Sequence, residues 1–153
     1  MKKIHAFLIV CVITIFAANC AMATNIGYID FKKVGSEYNY AKQIYKEIDT
    51  KSLELQQFLI DKDKQYKAID SPIAKKNFEE KTQKEFNDKR EALERLQIAK
   101  EEDIYNRVVA ATKAIANQRK LEAVFDQNAV FVGGADITAD VIRYLNSQPA
   151  SAR

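Results

Sequence analysis

The sequence predicts an α+β fold that is mostly helical: a small β-body built from both chain ends, with a long antiparallel α-helical coiled-coil hairpin projecting from it. Three observations lead there. Segments rich in β-branched and aromatic residues, bounded by turn formers, lie near the two ends of the chain. The stretch from Ser36 to Val132 contains no glycine, and it intersperses Lys with Glu and Asp around apolar residues at three- and four-residue steps. Pro72, behind Asp70 and Ser71, marks one turn within that stretch.

Residues 1–23 have the make-up of an export signal. Lys2 and Lys3 supply a positive start, Ala6 to Ala18 an apolar run, and Ala21, Met22 and Ala23 a small-x-small cleavage site. The apolar run stops at Asn19, short of the roughly 20 residues that span a bilayer, which argues against a retained anchor. Asn19 is also a poor residue for a cut in front of a lipidated Cys20. Cleavage would remove His5, Cys11 and Cys20, the chain's 1 His and 2 Cys. What remains lacks the usual zinc ligands, a thiol nucleophile, an imidazole base and any disulfide, so no metal, cofactor or catalytic residue is expected. Loss of Lys2 and Lys3 lowers the 24 Lys+Arg by two, to 22 against 21 Asp+Glu, and such a balance gives no global basic field for specific nucleic-acid binding.

Residues 24–153 then form one domain, with 24–39 and 120–147 as the body, 40–119 as the arm and 148–153 as a frayed tail. Strands are expected at Asn25–Ile29, Glu122–Phe125 and Ala129–Val132, the last two joined in a hairpin by Asp126, Gln127 and Asn128 and ended by Gly133 and Gly134. A short helix carrying Phe31 and Val34 follows the first strand. Ala41, Ile44, Ile48, Leu55, Leu59, Tyr66 and Ile69 line one long amphipathic helix, with polar gaps at Ser52 and Lys62. Phe78, Phe86, Leu93, Leu96, Ile104, Val108, Ala111 and Ile115 line a second, from about Ala74 to Arg119. A short turn between long helices makes them antiparallel, and arms of about 45 Å or more must project from a domain of this size. Asp136 is placed to cap a last helix whose Ile137, Val141, Ile142 and Leu145 share a face, and the small sheet is the expected partner of that face.

The expected body core and oligomerisation surface comprises Ile26, Tyr28, Ile29, Val124, Phe125, Val130, Phe131, Val132, Ile137, Val141, Ile142 and Leu145. A body of about 45 residues buries little apolar surface alone, so self-association is expected to complete its sheet and core.

Glu122–Val132 followed by Asp136–Ile142 is similar to the closing strand-strand-helix of the Skp/OmpH family, and Ile26–Asp30 is similar to its first strand. Order and length agree over essentially the whole mature chain, and the run Asp136–Ile142 is the most specific element. The resemblance implies a periplasmic homotrimer whose body carries three helical tentacles around a cavity for an unfolded outer-membrane β-barrel protein, and an activity that uses no ATP. A basic constellation proposed in some members to contact lipopolysaccharide finds no residue-by-residue match here.

A holdase without ATP works by sequestration. Unfolded barrel proteins expose alternating apolar strands and unpaired backbone, and many weak contacts from several arms add through effective concentration. Lys62, Lys64, Lys67, Lys75 and Lys76 gather at the arm tip near Asp61, Asp63 and Asp70, as candidate contacts for acidic clients or an anionic membrane surface, although such lysines more often form a merely solvated face. Asp30, Asp126 and Asp136 suit turns and caps better than an acidic site. Tyr28, Tyr38, Tyr40 and Tyr45 near the base suit half-buried packing, and Phe58, Phe78 and Phe86 suit the helix seam. The rival class is a tether or adaptor docking one folded partner through the same hairpin. An enzyme is disfavoured, because carboxylates interleaved with lysines on exposed helices lack a concave, water-excluding setting.

Overall fold

The computed structural model describes residues 25–148. The expected leader at 1–23, and all of the expected tail except Gln148, lie outside the described residues. In chain order the elements are β1 (Ile26–Ile29), α1 (Phe31–Glu37), α2 (Asn39–Lys67), α3 (Pro72–Arg119), β2 (Ala123–Asp126), a 3-10 turn (Gln127–Ala129), β3 (Ala135–Asp136) and α4 (Thr138–Ser147). The α+β architecture read from the sequence is the one observed.

Local chemistry accounts for most boundaries. Asp30 caps α1, its carboxylate accepting the Lys33 amide at 2.9 Å. Ser71 caps α3 by accepting the Ala74 amide, and Pro72 opens the helix at its first position, where the missing N–H costs nothing. Pro72 therefore starts the second long helix rather than merely ending the first. Lys120, at φ 56, takes the left-handed conformation that stops α3, and the Leu121 amide then donates back to Ala116. Asp136 accepts the Thr138 amide at 2.9 Å, so its carboxylate serves the start of α4 from one residue before the cap.

Helices α2 and α3 pack antiparallel as a hairpin. At 1.5 Å per residue the 29 residues of α2 span about 44 Å and the 48 of α3 about 72 Å. The surplus of α3 runs past the start of α2 and becomes the wall on which the body is built.

The sheet departs from expectation. Its order is β2-β1-β3, and both outer strands run parallel to β1. The expected strand at Ala129–Val132 and its hairpin with β2 do not form. Asp126 accepts the Asn128 amide at 2.8 Å and winds the chain into the 3-10 turn, which carries it away from β2. Gly133 and Gly134, at φ 84 and 88, then turn it into β3 on the far edge of β1. Phe131 and Val132 remain 103% and 86% exposed, and Phe125 is 46% exposed, so none of the three belongs to the core of the single chain. β-Propensity reports how well a side chain fits a pleated, half-buried surface, and here no such surface is supplied. At the centre of β1, Gly27 is needed for close approach: a Cβ there would lie 2.6 Å from Leu121 Cδ1.

Helix α4 also packs differently, against α3 and α1 more than against the sheet. The core unites Ile29, Val34, Tyr38, Ala41, Ile44, Ile104, Val108, Ala111, Ile115, Ile137, Val141, Ile142 and Leu145. The root of the hairpin is thus part of the body, not merely attached to it. Ile26, Tyr28, Val124 and Val130 are half-buried. Ile137 is wholly buried, whereas Leu53 on the arm is 63% exposed. Ile137→Ala is expected to lower the unfolding free energy by about 2–5 kcal/mol, and Leu53→Ala to change it by less than about 0.5 kcal/mol; urea denaturation followed by circular dichroism measures both.

Candidate functional site

Beyond Ile44 on α2 and Ile104 on α3, the hairpin contains no fully buried residue. Its seam is made of half-buried Leu55, Phe58, Tyr66, Ile69, Phe78, Phe86, Leu93 and Leu96. Leu53, Ile60, Ile73 and Ile98 stand exposed among the charges. The arm therefore offers apolar side chains on a rod whose own packing leaves them unused.

Every one of the five tip lysines has a neighbour within the arm. Lys62 reaches Glu85 across the seam at 2.7 Å, while Lys64 meets Asp61 at 3.4 Å and Lys67 meets Asp63 at 2.6 Å. Lys76 lies 4.0 Å from Glu80, and the Lys75 ammonium lies 5.2 Å from the centroid of the Tyr66 ring. The pairs within one helix are exposed and contribute little to stability. The tip thus alternates cations with carboxylates, while Lys75 faces a ring and the side chains of Lys64, Lys67 and Lys76 stay exposed.

At the root, Asp103 accepts the Tyr40 hydroxyl at 2.8 Å and Arg107 Nε at 2.9 Å, and the Arg107 guanidinium lies 4.6 Å from the Tyr40 ring centroid. The Tyr40 ring in turn packs on Tyr38, centroids 5.8 Å apart. Partial burial opposes ionisation of Asp103, but the hydrogen bonds from Tyr40 and Arg107 and the Arg107 charge outweigh it and hold the carboxyl below its usual range. Burial and the bond to Asp103 push the Tyr40 hydroxyl up. Asn146 of α4 adds a second tie, since its side chain accepts the Asn39 amide at 2.8 Å and donates to the Glu37 carbonyl at 3.2 Å. It caps α2 from the other end of the chain, where the local cap residue Tyr38 supplies no side-chain bond.

An open groove of about 610 Å³ lies between α3 and β2, lined among others by Phe31, Tyr105, Val109, Leu121, Val124 and Phe125. Phe31 and Tyr105 meet there with ring centroids 5.9 Å apart. Strand β2, which contributes to this lining, is an edge of the sheet among the described residues.

A family model described as outer membrane protein (OmpH-like) matches residues 25–145, from the residue before β1 to well within α4. The chain belongs to the OmpH-like family. The match takes in sheet, arm and closing helix as one unit, and no individual curated protein matches the chain. OmpH-like proteins are periplasmic and associated with outer membrane proteins, which suggests a chaperone kind of role.

Several residues that shape this OmpH-like structure are missed by sequence reasoning. Asp103 and Arg107 carry a legible signal, an acid-base pair four residues apart on one helix, but it is shared with many ordinary surface pairs. Tyr105 and Asn146 carry none, because their partners lie on other elements. The root network yields a pH dependence of definite sign. Asp103, with its folded pKa depressed, contributes stability above its unfolded value and loses it as pH falls through the folded one. The stability gap between wild type and Asp103→Asn is accordingly expected at pH 7 and shrinks in acid. Urea midpoints of both proteins from pH 7 down to pH 2.5 would check it, an unchanged gap ruling it out.

Proposed function

We propose that this OmpH-like protein is an ATP-independent periplasmic holdase that binds unfolded outer-membrane β-barrel proteins and keeps them from aggregating before membrane insertion. The observation that carries the reading is the arm: a long hairpin with exposed Leu53, Ile60, Ile73 and Ile98 and no buried residue of its own beyond the root. Isolated apolar side chains on a charged rod provide many weak contacts and no deep pocket, which suits a client without fixed shape. Sequestration of this kind requires neither a cofactor nor a catalytic residue.

We assign the working unit as a homotrimer, following the family resemblance. The unpartnered groove and the exposed Phe131 and Val132 support self-association. A concave patch and a distinct projecting patch on the same chain make a head-to-tail contact, which closes into a ring when the rotation per subunit permits.

Sedimentation of the mature chain with and without a urea-denatured outer-membrane barrel protein tests both parts. The expected result is an oligomer alone and a soluble co-sedimenting complex with the client, with aggregation suppressed for several unrelated barrel proteins. Tight binding to one folded partner, with no suppression, would establish the adaptor reading instead. Phe131→Asp is expected to shift the sedimentation coefficient toward the single chain while leaving helicity unchanged. The pair Leu53→Asp with Ile60→Asp is expected to weaken client binding at least about tenfold, the equivalent of about 1.4 kcal/mol.

A further inference from the structure

The distal arm has a packing unit of its own, and its centre is charged. Lys62 occupies a seam position between Phe58 and Tyr66, where the three-and-four spacing calls for an apolar residue. Its side chain is only 19% exposed, and its ammonium sits 5.1 Å from the Phe58 ring centroid and 5.5 Å from that of Phe78, between one aromatic of each helix. Glu85 meets it at 2.7 Å. Lys81 and Lys89, one turn to either side of Glu85 on α3, bring two more positive charges: Lys81 lies 3.9 Å from the Glu85 carboxylate, and Lys89 lies 5.3 Å from the Phe58 centroid. One carboxylate therefore stands among three lysines. The hydrogen bond from Lys62 is the largest cause that keeps that carboxyl below the usual glutamate value; desolvation opposes it, and the charges of Lys62, Lys81 and Lys89 add to the lowering.

On the root side of this cluster the helices are poorly filled in. An open cleft of about 430 Å³ lies between Leu55 of α2 and Leu93 and Leu96 of α3, with Lys51, Glu54 and Lys89 at its rim. On the tip side the Tyr66 and Phe78 rings pair at 6.4 Å, and the buried Thr82 hydroxyl oxygen finds no hydrogen-bond partner. Apolar packing is thin at both flanks, and on the tip side Tyr66 is held also by a side-chain hydrogen bond with Glu79 and by the Lys75 ammonium over its ring.

We propose that Glu85 is the keystone of a charge-closed latch: it holds the distal arm shut around Lys62 and conceals the Phe58 and Phe78 ring faces, so that losing its charge opens residues 57–86 independently of the root. Without the carboxylate, Lys62, Lys81 and Lys89 repel one another, and a half-buried ammonium is left with only ring faces. Opening relieves the repulsion and uncovers an aromatic surface that the closed arm lacks. The root does not follow, because its apolar core and the Tyr40–Asp103–Arg107 network lie on the other side of the cleft.

Amide hydrogen exchange on the intact mature protein, with binding of an apolar fluorescent dye in parallel, tests this without any client. Glu85→Gln is expected to speed exchange across residues 57–86 about tenfold or more and to raise dye binding, with exchange at Ala41, Ile44, Ile104 and Val108 unchanged. Wild type in 1 M salt should move the same way, less far. Lys62→Met with Glu85→Met replaces the charges by apolar groups and is expected to restore protection and abolish the salt response. Distal exchange in Glu85→Gln within twofold of wild type overturns the latch, as does loss of protection at the root in parallel, which would mean that the arm opens as one piece. A salt response surviving in the double Met variant would place the controlling charge elsewhere and equally overturn the assignment.

Discussion

Burial of Val34, Ile137 and Val141 against the root of α3 is the interaction on which the remaining structure depends. These three side chains come from the first helix, the start of the last helix and its interior, so the core cannot form until residues more than a hundred positions apart have met. Every other feature follows from that closure. The Glu122 amide donates to the Asn25 carbonyl, the Ile137 amide donates to the Tyr28 carbonyl, and β1 gains a parallel neighbour on each side. Parallel neighbours demand a crossover, and for β1 and β2 that crossover is the whole helical hairpin.

An arm built this way is free of a requirement that governs compact domains. Its base is secured by the common core, by the Asp103 network and by Asn146, so the distal seam need only keep the two helices together. Half-buried aromatics, separated by Ser52, Lys62 and Thr82, suffice for that. They leave the distal arm with few buried apolar contacts, the physical ground for local opening. Charge is then used where apolar packing is thin, and the half-buried Lys62 of α2 faces the Glu85 carboxylate of α3 at the point where the seam would otherwise lack a centre.

The groove beside β2 and the exposed Phe131 belong to the same economy. A body this small cannot enclose all its aromatic residues with one chain, and the surplus lies on two separate surfaces. These are the surfaces on which the self-association proposed above rests.

The sequence by itself determined what is local. Periodicity placed both arm helices, Ser71 and Pro72 placed the turn between them, Asp30 and Asp136 sit at helix starts, and the five tip lysines lie where the hairpin reverses. All of these depend on residues within a few positions of one another. Only the tertiary structure decided which strands pair. Glu122–Val132 has the composition of a hairpin, yet the winding at Asp126 and the positive φ of Gly133 and Gly134 send the chain to the opposite edge of β1. It also decided that α4 packs on the helical root, that Tyr40 finds Asp103, and that Lys62 is half-buried rather than solvated. Each of these depends on groups far apart in the chain whose meeting is set by the shared core, and no single segment encodes that partner.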